Sequence, residues 1–226
     1  MHLFIGNKVY SSWSLRPWIL MRAKDIACDE TVVNLGDAGS SRAHLKQYSP
    51  SGKVPCLVDG TTTVWETLAI MEYLSEKFPD KHIWPKDAAA RAHARAIASE
   101  MHAGFQALRK ACPMVVTQRF APKPLAADVH SDVTRLRAIW NEARSKFTDR
   151  SLPPFLYGEF TAADAMYAPV ATRLRSYGIT IDPVSQAYVD AVLGHPAYRA
   201  WLDGAIAETW VLKQNESDTL IDDLRA

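Results

Sequence analysis

Lys-Val-Pro-Cys-Leu-Val-Asp-Gly-Thr-Thr-Thr-Val-Trp-Glu-Thr-Leu-Ala-Ile-Met-Glu-Tyr-Leu, residues 53–74, decides how the chain is read. Two short β-rich runs, 56–58 and 62–65, flank Asp59-Gly60, a strong short-range hairpin signal. Leu68, Met71 and Leu74 then recur at helical spacing, with Ile70 and Tyr73 widening the apolar face. Glu66 and Thr67 therefore stand at the seam where a strand gives way to a helix. The first N–H groups of a helix lack an intrahelical partner, so such a seam readily holds an anion. Pro55 precedes the first strand, where its missing N–H does no harm to a sheet interior.

Val54-Pro55, a hairpin, and Glu66-Thr67 opening a helix resemble the glutathione-binding half of the cytosolic glutathione S-transferases. That resemblance implies a cis Pro55, with the backbone of Val54 pairing with the cysteinyl unit of glutathione. It also implies that Glu66 meets the α-amino group of the γ-glutamyl end while Thr67 takes its α-carboxylate. Lys53, the residue before Val-Pro, is the candidate for the glycyl carboxylate. A solvated loop lysine is the plainer reading of that residue. Arg42 and His44 are near enough in sequence to be further candidates.

Upstream, residues 2–6 read as one strand and 29–35 as another, the latter carrying the β-branched Thr31, Val32 and Val33. Between them, Ser11, Ser12 and Ser14 precede Pro17 and an apolar run. Serine oxygens accept the orphan N–H groups of a helix start, and proline is tolerated in the first turn. Strand, helix and strand make a βαβ unit, hence a parallel pair with a right-handed crossover. Ser-Ser-Trp-Ser-x-Arg, residues 11–16, also resembles the Ser-Ser-Cys-Ser-x-Arg signature of zeta-type transferases. The likeness is to a bacterial member of the superfamily with a zeta-like serine motif.

In that signature the first serine faces the glutathione sulfur, which makes Ser11 the candidate catalytic residue and Ser12 the next. A thiol with a reference pKa of about 8.5 is mostly protonated at neutral pH, and the thiolate is the nucleophile. A hydroxyl donating to the sulfur beside a helix N-terminus favours the thiolate without becoming a nucleophile itself. No His, Asp or Glu lies close in sequence to act as a base for Ser11, which weakens a serine-hydrolase reading. Trp13 departs from the zeta signature, which has Cys there, and counts against maleylacetoacetate isomerase activity more than against glutathione binding. Trp13 and Trp18 are otherwise read as packing residues.

Residues 36–41 read as a loop and 42–48 as a short helix, followed by the Ser49-Pro50-Ser51-Gly52 turn. The stretch 78–87 holds Pro79 and Pro85 among mixed charges and reads as a linker. Beyond it strand patterns stop. Ile97, Met101, Phe105 and Leu108 recur at helical spacing, as do Val133, Leu136, Trp140, Ala143 and Phe147. Thr161-Ala162-Ala163-Asp164 has the form of a capping box before an apolar helix that contains Pro169. It resembles the N-capping motif of the transferases' central helix and is read as a folding feature. Met101, His102, Phe105, Tyr157 and Trp210 are candidates for the wall facing a second, apolar substrate.

The predicted architecture is therefore α+β. A thioredoxin-like glutathione-binding domain over residues 1–78 and a linker over 79–87 precede an all-α domain over 88–226. The resemblance implies a transferase that activates the thiol of glutathione, its cosubstrate, for attack on an electrophilic apolar substrate. It also implies a homodimer. The rivals are a glutathione-dependent isomerase of the maleylacetoacetate-isomerase kind and a non-enzymatic interaction module on the same fold. Composition sets outer limits. Twenty-six basic and 25 acidic residues leave a net charge of +1, which argues against nucleic acid or an anionic membrane as the main partner. Met1 leads straight into a strand with no leader-like segment and no membrane-length apolar run, so the expected compartment is the cytoplasm. Cys28, Cys56 and Cys112 are few and far apart, and the seven histidines lack ligand spacing, so no metal is expected.

Overall fold

The computed structural model describes residues 1–36, 43, 45–149, 151–212 and 218–225. Arg42, His44 and most of the loop and short helix expected over 36–48 lie outside the described residues. The N-terminal half runs β1 (His2–Gly6), α1 (Ser12–Ala23), β2 (Asp29–Val33), β3 (Cys56–Asp59), β4 (Thr62–Trp65) and α2 (Thr67–Lys77). Its sheet has the order β2-β1-β3-β4. β1 and β2 are parallel, the βαβ unit expected around α1, while β3 runs antiparallel to β1 and to β4. Cys56 pairs with Trp65 and Asp59 with Thr62, so the two-residue hairpin loop is Gly60-Thr61. Gly60 has φ +60°, a conformation that a side chain disfavours, and that is why the turn forms here.

A 3₁₀ turn (Pro79–Lys81) opens the connection to α3 (Ala88–Ala103) and α4 (Gln106–Ala111). Next come β5 (Gln118–Phe120), α5 (Ala127–Phe147), α6 (Ala162–Ser176), α7 (Pro183–Gly194), α8 (Pro196–Ile206) and β6 (Leu220–Asp223). α6 is the axis of this half, with every side chain but Arg175 buried. A helix buried on every side must be enclosed, and α1, α3 and α7 enclose it. Its start is the expected capping box. Asp164 Oδ2 accepts from Thr161 N at 2.8 Å and from Thr161 Oγ at 3.0 Å, while Oδ1 accepts from Leu156 N at 3.0 Å.

One hydrophobic core runs through both halves, from Leu3 and Ile5 through Trp18 and Leu20 to Met166, Tyr198 and Trp201. The halves are also bonded across it. Arg16 Nε donates to Met166 O at 3.0 Å, and Trp201 Nε1 donates to Lys8 O at 2.8 Å. The helical half departs from the sequence reading in one respect, since β5 and β6 form a two-stranded antiparallel ribbon. A three-residue strand shows no alternation that a sequence pattern can display, and its partner lies about a hundred residues further along. Among the described residues no helix is long and apolar enough to cross a membrane.

Candidate functional site

The Val54–Pro55 peptide bond is cis, as the resemblance implied. Glu66, directly before α2, has φ 71° and ψ 133°, and its side chain makes no capping bond. A glutamate held at positive φ costs on the order of 1–3 kcal/mol, and such residues concentrate where a ligand is held. Thr67 opens α2 fully buried, and its Oγ donates to Trp13 O at 3.2 Å, tying the starts of α1 and α2 together. A cavity of about 170 Å³ opens at this junction, lined by Trp13, Ser51, Lys53, Val54, Pro55, Glu66 and Thr67. Five predicted ligand-binding residues thus share one cavity, brought there by the loop before β3 and the seam before α2. Ser51 and Trp13 join them. Ser51 receives Lys53 N at 3.2 Å and shares a 2.9 Å hydrogen bond with Ser49.

Ser11 and Ser12 are not among the residues lining that cavity. Both are buried at the start of α1, at 7% and 8% exposure. Ser11 is the N-cap of α1 and donates its hydroxyl to Ser14 Oγ at 2.8 Å, and Ser14 Oγ also receives Gly6 N at 2.9 Å. Ser12 Oγ has no hydrogen-bond partner among the described residues, although Ser12 N donates to Tyr10 O at 3.0 Å.

Trp13, read from sequence as packing, is the residue around which the site's charges gather. The Arg16 guanidinium lies 4.2 Å from its ring and that of Arg109 4.7 Å away, with the His102 ring tilted at 5.0 Å. Arg16 is completely buried, and both its terminal nitrogens lack a hydrogen-bond partner among the described residues. Burial, then the neighbouring Arg173 and Arg109, push its pKa well below the ordinary guanidinium range. Burial also lowers Arg109, and it lowers Arg173 to about 10. None of the three faces a carboxylate at ion-pair distance among the described residues. Nothing in their spacing along the sequence marked them as neighbours, because α1, α4 and α6 meet only in the fold.

Of the residues proposed for the second-substrate wall, His102 alone approaches the cavity, with Nε2 3.9 Å from Glu66 Oε2. Met101 and Phe105 are core residues, Tyr157 OH is bonded to His93 Nδ1 at 2.7 Å, and Trp210 is exposed. No group of three or more His, Cys, Asp and Glu able to hold a metal occurs among the described residues. The remaining polar feature of the site is the helix-start pair of Thr67 and Glu66 beside Lys53, a set able to take a zwitterion by its ammonium and carboxylate groups.

A thioredoxin-like sheet carrying a cis-proline cavity and joined to a helical bundle defines a glutathione-transferase type of protein. The comparisons agree. The glutathione S-transferase N-terminal domain model matches residues 10–77, and the C-terminal domain model matches residues 88–204. The chain belongs to the glutathione S-transferase family, an enzyme family whose cosubstrate is glutathione. A protein of Caenorhabditis elegans named probable maleylacetoacetate isomerase is 30% identical over 165 residues, 66% of this chain and 77% of that one. A Burkholderia glutathione transferase homologue, solved with bound glutathione, has a TM-score of 0.66 at 22% identity and covers 92% of this chain and 98% of its own. The holo structure of a maleyl pyruvate isomerase, a bacterial zeta-class transferase, has a TM-score of 0.67 at 21% identity, covering 93% and 100%. At those identities the two structures speak for the fold.

Proposed function

We propose that the chain is a serine-type glutathione transferase. Glutathione occupies the 170 Å³ cavity with the Val54 backbone on its cysteinyl unit, Glu66 on its ammonium and Thr67 on its α-carboxylate. Lys53 takes the glycyl carboxylate. Ser11 donates to the sulfur, and Ser14, whose Oγ accepts the Ser11 hydrogen bond when no ligand is bound, turns to donate to Ser11 Oγ in its place. The hydroxyl and the N-terminus of α1 together hold the thiolate, whose proton has passed to solvent; it attacks an electrophilic carbon of the second substrate, and the S–C bond forms as the leaving group departs with its electron pair. Ser12, the unpartnered hydroxyl, is the alternative donor. The protein acts in the cytoplasm as a homodimer. The observation that carries this reading is the convergence of Lys53, Val54, Pro55, Glu66 and Thr67 on one cavity.

A second reading, a glutathione-dependent isomerase, draws support from a separate observation. Arg16 and Arg109 flank Trp13 with no carboxylate among the described residues facing them, which suits an acceptor that carries its own carboxylate. The two readings share the thiolate and differ in the acceptor. In an acceptor screen, Arg109→Gln lowers turnover of a carboxylate-bearing electrophile more than that of a neutral one if the second reading holds. An equal loss on both favours the first.

Calorimetric titration of glutathione into wild type and Ser11→Ala, with thiolate absorbance followed across pH, tests the core of the proposal. Binding by both with a lowered thiol pKa in wild type alone supports Ser11. Equal activation by both transfers the role to Ser12. No binding by wild type removes the enzymatic reading and favours the interaction module.

A further inference from the structure

The segment 7–10 carries the chain from β1 to the serines. Within it, Tyr10 N and Ser11 N both donate to Asn7 O, at 3.2 and 2.8 Å. The main-chain groups of Lys8 and Val9 are met from the far half of the chain. Trp201 Nε1 donates to Lys8 O at 2.8 Å, and Val116 N donates to Val9 O at 3.1 Å. Glu208, just beyond the end of α8, takes two consecutive N–H groups: Lys8 N donates to its Oε1 at 2.6 Å and Val9 N to its Oε2 at 3.2 Å. One carboxylate bridging two consecutive N–H groups is charge-assisted at both contacts and dictates the backbone direction through that residue pair.

We propose that Glu208 is a positioning residue for thiol activation: its carboxylate sets the backbone of Lys8 and Val9, and so the place from which Ser11 and Ser12 meet the sulfur. This rests on the serine reading above. Two residues of chain separate the bridged Val9 N from Ser11, and Ser11 N is itself bonded back to Asn7 O. A shift at Lys8 or Val9 is therefore passed to the serines, with little slack to absorb it. Five of the seven residues lining the cavity, Lys53, Val54, Pro55, Glu66 and Thr67, belong to other segments and are not bonded to Glu208, and Trp13 alone follows the serines directly. The inference thus separates two properties: Glu208 governs activation of the thiol, and it leaves the binding of glutathione alone.

The surroundings suit a carboxylate doing this work. Burial raises the Glu208 pKa, and the two N–H groups together with the charges of Lys8 and Arg225 oppose that rise. Lys8 Nζ is turned away to Glu30 at 2.5 Å and lies 5.0 Å from the Trp18 ring, so the Lys8 side chain anchors one end of the segment while Glu208 anchors its main chain. An amide at position 208 keeps one acceptor but sets its NH₂ against the other N–H, which breaks the bridge at nearly constant size.

The test compares full-length wild type, Glu208→Gln, Glu208→Asp and Asp182→Asn. Asp182 is a control of matched type, a carboxylate capping α7 and paired with Arg137 at 2.7 Å, and it has no part in the serine segment. Each is measured for glutathione affinity by calorimetry, for the pH midpoint of the bound thiol by absorbance, for kcat on a chloronitrobenzene electrophile, and for Tm. Glu208→Gln is expected to bind glutathione within about twofold of wild type while its thiol midpoint rises and kcat falls on the order of tenfold, the scale of a small misplacement. Glu208→Asp, which keeps the charge, recovers part of both and also serves if Glu208→Gln does not fold. Asp182→Asn lowers Tm but leaves the thiol midpoint where it was. A lowered Tm with an unmoved thiol midpoint and kcat in both Glu208 variants overturns the proposal, leaving the serine reading intact. A wild type that binds glutathione without lowering its thiol pKa overturns both.

Discussion

Ser14 does more at the site than its place in the serine cluster suggests. Its Oγ accepts from the buried Gly6 N and from Ser11 Oγ, so it joins the end of β1 to the cap of α1. Ser14→Ala leaves Gly6 N–H without an acceptor and Ser11 without its partner. The expected loss is about 1–3 kcal/mol of stability, the cost of an unsatisfied buried donor, together with a raised thiol midpoint. Denaturant titration and thiolate absorbance check the two parts separately. Arg16 makes the opposite case. A buried guanidinium with two unpartnered nitrogens is poorly compensated, and apolar replacement of such groups is often neutral or stabilising. Arg16→Met is expected to be at least as stable as wild type in urea, yet to bind glutathione more weakly because Trp13 loses the cation beneath it. Loss of stability with unchanged binding would contradict this.

At the scale of elements, α6 shows how a local signal becomes a pH-sensitive one. Thr161 and Asp164 form a capping box that anyone can read from the sequence, but the box is fully buried. Burial pushes the Asp164 carboxyl up to about 6, against the hydrogen bonds from Leu156, Thr161 and its own N–H that pull it down. A carboxyl whose folded pKa lies above its unfolded value binds more protons in the native state between the two, so this group's contribution to stability falls as pH rises from about 4 to about 6. Asp164→Asn cannot titrate and turns its NH₂ toward one of the donors. The stability difference between wild type and this variant is expected to be larger at pH 5 than at pH 7, by about 1 kcal/mol, in denaturant titrations at both values. A gap that widens toward pH 7 would reverse the assignment. Elements also mark where a sequence pattern fails. The β5–β6 ribbon is three and four residues of strand joined across the chain, too short for periodicity and too distant for a turn signal.

Across the whole molecule, the two halves share one core and do not meet as separate bodies. Trp201 is completely buried, packs edge-on against Trp18 at 5.1 Å and bonds Lys8 O from the opposite half. Trp201→Phe keeps an aromatic ring but orphans that carbonyl. It is expected to cost about 1–3 kcal/mol and to leave a single unfolding transition shared by far-ultraviolet dichroism and fluorescence. Two separated transitions in wild type would show that the halves unfold independently. The Glu208 bridge belongs to the same design: the stretch just after α8 is bonded to the segment that delivers the serines.

The β-hairpin, the βαβ unit around α1, the helix seam at Glu66 and the capping box of α6 were all legible because each is written in neighbouring residues. Turn chemistry, strand alternation and caps act over a few positions, and there a sequence pattern is itself the physical cause. Lys53, Val54, Pro55, Glu66 and Thr67 were grouped in advance through the family resemblance, whose motifs all lie within one short loop, a hairpin and a helix start. Trp13 on the cavity wall, the unpaired cations of Arg16 and Arg109, the approach of His102 to Glu66 and the grip of Glu208 on Lys8 and Val9 could not. Each depends on segments tens to hundreds of residues apart packing in one particular way. Burial and charge environment arise from that packing, and no local run of residues contains them.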